Sequence, residues 1–195
     1  MTSFADLGLP RPIVNVLAKQ GITEPFPIQE EAIPDAMAGR DVLGRGPTGS
    51  GKTFTFGLPM LARLAGAPSK PGHPRGLILA PTRELATQIA QNVEAFARGT
   101  GIRSFRVVGG ASINVQVDRL ARGVDVLIAT PGRLIDLIER KAVRFDQTRY
   151  LVLDEADQML DLGFIKPIRQ IVSRMPARRQ NLFFSATMPG EIGKL

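Results

Sequence analysis

The chain contains no cysteine and a single histidine. Without thiols there is no disulfide framework and no thiolate metal site. His73 lies in a stretch rich in glycine and proline and reads as a solvated side chain rather than a ligand. No apolar run reaches the length that spans a bilayer. The first twenty residues include Asp6, Arg11 and Lys19 without an unbroken apolar stretch, which excludes a secretory signal. There is no internal repeat and no block of like charge. The expectation is a soluble cytoplasmic protein with no membrane partner, monomeric by default.

What is present suits one compact domain: 195 residues, 44% of them hydrophobic, enough for a real core. The formal net charge is +7, from 25 basic and 18 acidic residues. Such a balance permits a polyanionic partner, because each Lys or Arg that meets a phosphate releases condensed counterions, but it does not establish one. Short apolar runs at 41–43, 77–80, 105–108, 126–129, 151–153 and 182–184 are each followed by a turn signal and then a helical pattern. They are continuous rather than alternating, as strands covered on both faces are. Amphipathic stretches at 84–98, 115–122 and 164–174 lie between them. The fold class is therefore α/β, a doubly wound parallel sheet flanked by helices. The segment 66–76, with three prolines and three glycines, reads as a surface loop, and 188–195 opens a final helix.

Ligands of such sheets bind beyond the carboxyl ends of the strands, and the motifs collect there. Gly46-Pro47-Thr48-Gly49-Ser50-Gly51-Lys52-Thr53 follows the first strand and opens a helix through 54–64. Its glycines let successive N–H groups face a polyphosphate, to which the helix N-terminus adds positive potential. Thr48, Gly49, Ser50 and Gly51 form the cradle, Lys52 reaches the β- and γ-phosphates, and the Thr53 hydroxyl holds Mg²⁺. Downstream, Asp154-Glu155-Ala156-Asp157 ends an apolar strand. Asp154 is placed to hold the metal, directly or through water, and Glu155 to orient and deprotonate an attacking water. The bland alternative for these carboxylates is an acidic first helical turn.

With Asp154–Asp157 spelling Asp-Glu-Ala-Asp, and with the remaining motifs in order, the whole chain resembles the N-terminal RecA-like domain of a DEAD-box ATP-dependent RNA helicase. The resemblance implies a RecA-like P-loop NTPase domain over 1–195, with a Q-motif segment at 1–30 and a second RecA-like domain absent from this sequence. Gly21 to Gln29 is similar to the Q motif, so Gln29 is expected to read adenine N6 and N7 with its amide. By the same resemblance Phe4 stacks on the adenine; its alternative is a core or terminal anchor. Pro81-Thr82-Arg83-Glu84-Leu85, Gly109-Gly110 and Thr130-Pro131-Gly132-Arg133 resemble the RNA side. Thr82, Arg83, Gly110, Thr130, Gly132 and Arg133 would then line the RNA backbone, with contacts to phosphate, sugar and 2′-OH rather than to bases. Otherwise Arg83 and Arg133 would pair with Glu84 and Asp136.

Ser185-Ala186-Thr187 matches the motif that links hydrolysis to unwinding. Both hydroxyls are expected to meet the acidic cluster at Asp157, against an alternative of plain helix capping. Two positions depart from the family pattern. Gly46 and Pro47 stand where most relatives carry Ala and a longer polar residue, and Phe26 stands where a small hydroxyl residue is usual. The reading is an ATP- and Mg²⁺-dependent RNA helicase lobe. It is expected to bind nucleotide weakly and turn it over little without the second RecA-like domain, which supplies the arginine finger. The alternatives are another P-loop nucleic-acid translocase and a non-enzymatic RNA or protein clamp.

Overall fold

The computed structural model describes residues 1–45, 51–187 and 190–195. A single 3-10 turn, Ala5–Leu7, leads into α1 (Arg11–Lys19), α2 (Pro27–Met37) and β1 (Val42–Arg45). Strand and helix then alternate: α3 (Lys52–Leu64), β2 (Gly76–Leu79), α4 (Arg83–Ala97), β3 (Ser104–Val107), α5 (Ile113–Ala121), β4 (Val126–Ala129) and α6 (Pro131–Glu139). The chain continues through β5 (Tyr150–Leu153), α7 (Ala156–Asp161), α8 (Ile165–Val172), β6 (Gln180–Ser185) and α9 (Gly190–Gly193). The six strands are all parallel, in the order β1-β6-β5-β2-β4-β3. The first strand in the chain pairs with the last, Val42 facing Leu182 and Arg45 facing Ser185.

The continuous apolar character of β2, β4 and β5 has a direct structural reading. Every residue of these strands is buried, because successive side chains enter two different cores. Ile78, Ile128 and Val152 join the core beneath α1 to α4. Leu77, Leu79, Leu127, Leu151 and Leu153 join the core beneath α5 to α9. The first half of the chain thus covers one face and the second half the other. The expected strands are all present, with ends shifted by one or two residues. Asp41 falls just before β1, where its carboxylate accepts the Asn181 N–H at 2.8 Å and fixes the start of β6.

The glycine- and proline-rich segment is a loop, as expected, and it is tied down from below. Asp125, just before β4, accepts the backbone N–H groups of Ser69 at 2.7 Å and Arg103 at 2.8 Å. Arg103 Nε lies at 3.3 Å and Arg75 Nη2 at 3.6 Å from the same carboxylate. Burial is the largest influence on this group and works to raise its pKa. The hydrogen bonds from Arg103 and Ser69 together outweigh it and hold the value at about 2. His73 stays in the loop, with Nδ1 at 2.8 Å from the Pro71 carbonyl and Nε2 at 3.6 Å from Asp146. Among the described residues, no helix is long and apolar enough to cross a membrane.

Candidate functional site

All functional residues seen in the sequence that fall among the described residues, apart from Phe4, gather at the carboxyl ends of the strands or in the segment packed against them. Thr48, Gly49 and Ser50, with Gly46 and Pro47, lie outside the described residues. The end of the phosphate-binding loop is described. Gly51 adopts φ +81°, a left-handed conformation that glycine accepts without strain, and directly precedes α3. Lys52 and Thr53 open that helix and share a cleft of about 230 Å³ with Asp154 and Glu155.

Charge in this cleft is held out of water. Lys52 is 7% exposed and Asp154 4%. Burial pushes the Asp154 carboxyl up, the Lys52 charge lowers it, and the Glu155 charge raises it again; the balance is about 6. The carboxylate also accepts the Glu155 N–H at 3.0 Å. Glu155 itself sits at φ +50°, ψ +51°, a conformation rare for a residue with a side chain and found where the surroundings impose it. The tight turn carries the chain from β5 straight into α7 and places Asp154 and Glu155 on the wall of one cleft. One carboxylate and one hydroxyl are a fitting donor set for magnesium, which keeps several waters and takes the rest of its shell from phosphate. Among the described residues, no group of three or more acidic or histidine side chains forms a complete protein cage.

Asp157 lies two residues further on and joins α7 to the end of β6. The Thr187 N–H and hydroxyl donate to its carboxylate at 3.0 and 3.1 Å, and its own N–H donates to Ser185 Oγ at 3.1 Å. Partial burial opposes ionisation of Asp157. The hydrogen bonds from Thr187, with the Ser185 side chain close by, outweigh it, so the carboxyl sits below the usual aspartate value. The expected meeting of Ser185 and Thr187 with Asp157 is present, and Ser185 contributes it as an acceptor.

A second, more open cleft of about 530 Å³ borders the first along the opening turn of α4. It is lined by Thr82, Arg83, Gly110, Thr130, Gly132 and Arg133, together with Pro81, Glu84, Gly109 and Phe164. Helices α4 and α6 both start here, with Thr82 and Thr130 at their N-cap positions. Their first turns bring unpaired N–H groups to the cleft. Thr82 Oγ1 already accepts the Leu85 N–H at 3.1 Å. Gly110, at φ +83°, lies so close to the Arg83 guanidinium that a methyl group there would overlap it. Arg83 donates to the Gly109 carbonyl at 3.3 Å and is otherwise exposed. Arg133 is committed further: it donates to the Ala111 carbonyl at 2.8 Å and to Gln116 Oε1 at 3.1 Å, with Asp136 at 3.9 Å. Arg133 therefore braces the loop after β3 as much as it faces the cleft.

Two Q-motif expectations need correction or refinement. Phe4 is 2% exposed and packed in the core beneath α1 to α4, the place of the core anchor that was its alternative reading. A large aromatic ring buried near the chain start gains more from the core than from solvent. Gln29 is 2% exposed and both ends of its amide are engaged. Its Oε1 accepts the Phe26 N–H at 2.9 Å and its Nε2 donates to the Gly51 carbonyl at 3.2 Å. One N–H and one lone pair of the amide remain for other partners. Phe26 cannot accept a bond through its ring, and the Gln29 N–H instead meets the Phe26 carbonyl at 2.9 Å. Sequence reasoning passed over Gln88 and Asn92, which line the first cleft, and Gln116, whose Nε2 donates to Val108 O at 3.0 Å. The spacing of Leu85, Gln88 and Asn92 puts all three on one face of α4, a signal that could have found them.

With this geometry in view, similarity to known proteins becomes informative. Residues 26–195 match the family described as DEAD/DEAH box helicase. The chain is 47% identical over 198 residues to DEAD-box ATP-dependent RNA helicase 3A, chloroplastic, of Zea mays, covering 99% of this chain and 26% of that protein. It is 43% identical over 192 residues to DEAD-box ATP-dependent RNA helicase CshA of Streptococcus pneumoniae serotype 4, covering 98% and 36% respectively. DEAD-box ATP-dependent RNA helicase 30 of Arabidopsis thaliana is 47% identical over 197 residues, covering 100% of this chain and 33% of its own length. The chain thus spans between about a quarter and about a third of these relatives. A six-stranded parallel sheet bearing these motifs at its carboxyl edge, matched over most of its length, establishes that the chain belongs to the DEAD/DEAH box helicase family.

Proposed function

We propose that this chain is the ATP-binding lobe of an RNA helicase, which couples ATP binding and hydrolysis to local duplex unwinding or remodelling of RNA–protein complexes. One observation carries the reading: two clefts share the opening turn of α4, one lined by Lys52, Thr53, Asp154 and Glu155, the other by backbone and cationic groups suited to phosphates. The names of the relatives support ATP and RNA as the ligands.

The residues divide the work by their chemistry. Lys52 draws the terminal phosphates to the start of α3, and Thr53 with Asp154 would hold magnesium beside them. Magnesium, when bound, neutralises charge across the β- and γ-phosphates. Glu155 orients a water toward the γ-phosphorus and takes its proton as the bond to the bridging oxygen breaks, leaving ADP and phosphate. Asp157 would feel that change through α7 and pass it to Ser185 and Thr187. In the second cleft, Thr82, Arg83, Gly110, Thr130, Gly132 and Arg133 grip one RNA strand by its backbone, without regard to sequence. Gln29 would turn its free donor and acceptor to adenine. A second RecA-like domain supplies the arginine finger, so this lobe alone binds nucleotide weakly and turns it over slowly. A monomer in the cytoplasm completes the proposal.

The test is steady-state ATP hydrolysis with and without single-stranded RNA, by this chain alone and joined to a second RecA-like domain. The expected result is RNA-stimulated turnover by the joined protein only, and no equal stimulation when DNA replaces RNA. RNA-dependent turnover by the chain alone would remove the need for the second lobe, and equal stimulation by DNA would make this a general nucleic-acid translocase.

A further inference from the structure

Near the amino ends of β5 and β6, at the end of the sheet away from both clefts, lies a further depression of about 550 Å³. Lys141 and Arg144, between α6 and β5, and Arg174, just after α8, line it together with Asp146. All three cations are exposed, and among the described residues none of their side chains is held by an ion pair or a hydrogen bond. Two arginines at the same end of the sheet behave differently, since Arg75 and Arg103 are both committed to Asp125. Asp146, the carboxylate among the lining residues, lies at 3.6 Å from His73 instead. The imbalance extends along the chain: residues 162–190 include Lys166, Arg169, Arg174, Arg178 and Arg179 and no acidic residue. Lys141 adds a second observation. It follows the end of α6 at φ +59°, with its N–H on the Ile138 carbonyl at 2.9 Å and the Ala142 N–H on the Leu137 carbonyl at 3.0 Å. Glycine is usual in that turn because it takes a left-handed backbone without strain. A lysine there costs local stability and keeps a cation in the depression.

We infer that this depression is a second contact for the RNA backbone, separate from the cleft at the carboxyl ends of the strands. The inference rests on the reading of RNA as the ligand. Val143 and Phe145, which complete the lining, are buried, so an arriving ligand meets charge rather than apolar surface. That suits a chain of phosphates better than an amphipathic peptide. Strands of four residues put about 13 Å of sheet between the two ends. Only RNA that continues well beyond the cleft reaches the depression. There Lys141, Arg144 and Arg174 displace counterions from its phosphates, which adds affinity and salt dependence without reading sequence.

The test is fluorescence anisotropy of the chain with labelled polyuridylate of two lengths, one that fills the cleft alone and one several times longer. K141G/R144A/R174A is expected to bind the longer RNA about tenfold more weakly, with a log–log salt slope shallower by about 2, and to bind the shorter RNA as the wild type does. R83A should weaken both lengths. The three side chains are exposed and K141G relieves its turn, so the thermal midpoint of the triple variant should equal or exceed that of the wild type. Unchanged affinity for the longer RNA overturns the inference. An equal loss for both lengths also overturns it, because the cations would then act only through the net field of the lobe. Polyglutamate that binds the wild type as tightly as the longer RNA, and loses as much in the triple variant, would give the depression to an acidic protein partner instead. A wild type that binds neither RNA overturns the RNA reading and the inference together. Loss of the longer RNA in the triple variant beside an unaffected R83A keeps the inference and removes the assignment of the cleft.

Discussion

Asp125 and Asp154 lie at opposite edges of the same parallel sheet, one just before β4 and the other just after β5. Both are nearly inaccessible to water, at 1% and 4% exposure. Their surroundings differ in what they give a negative charge. Asp125 receives two backbone N–H groups and two guanidinium groups, and its pKa falls to about 2. Asp154 receives the Glu155 N–H and the field of Lys52 beside a second carboxylate, and its pKa rises to about 6. A saturated buried carboxylate holds loops to a sheet. A buried carboxylate held at a raised pKa gains most from an arriving cation, and that is where ligand chemistry is expected.

The largest effect should come from Asp154→Asn in a protein that joins this lobe to a second RecA-like domain. RNA-stimulated ATP turnover is expected to fall by about 10²- to 10³-fold. Retention of turnover would remove Asp154 from the metal site. Asp125→Ala should leave the chemistry in place but cost about 3 kcal/mol of stability in a urea titration, because Ser69 N–H and two arginines lose a buried partner. A loss below about 0.5 kcal/mol would make the pairing no stronger than a surface one. In magnesium- and nucleotide-free buffer at pH 7, Asp154→Asn should stabilise the fold by about 1 kcal/mol, since it removes a charge that burial disfavours.

The two aspartates should also leave opposite marks on the pH dependence of stability. The folded pKa of Asp125 lies below the unfolded value, so its contribution is present above about pH 4 and is lost as pH falls toward 2. Asp154, raised to about 6, costs stability above that pH and costs progressively less as it is protonated between 6 and 4. Thermal melts of the wild type, Asp125→Asn and Asp154→Asn across this range should assign each slope to one residue. The smallest effect concerns the open cleft. Arg83→Ala should lower RNA affinity about threefold and flatten its salt dependence without moving the thermal midpoint. Arg133→Ala should lower both, because its side chain braces Ala111 and Gln116.

How much of this was legible in the sequence depends on the range of the interactions. The strands were readable because burial on both faces leaves a continuous apolar run. The joining of Ser185 and Thr187 to Asp157 followed from the motif order. Phe4 was not readable, because a single aromatic ring near a chain end has no period to say whether it turns inward. The Gln29 amide was expected to face a base, and its bonds to Phe26 and Gly51 are set by the packing of α2 against α3. Asp125 looked like any acid before a strand. Its partners Arg103 and Ser69 lie 22 and 56 residues away, beyond any local pattern.

The pairing of β1 with β6 has a consequence for the order in which the protein is made. A ribosome delivers the first strand and the loop that follows it long before residues 180–185 exist, yet those residues are the hydrogen-bonding neighbour of β1. Until they emerge, the strand that leads into the phosphate-binding loop has no partner in the sheet, and its exposed edge is open to other chains. The nucleotide cleft is therefore among the last parts of the lobe to be assembled, although its lysine is encoded in the first third. Nascent chains stopped before residue 180 should bind chaperones and not nucleotide, while release of β6 should bring Arg45 into register with Ser185 and complete the nucleotide cleft.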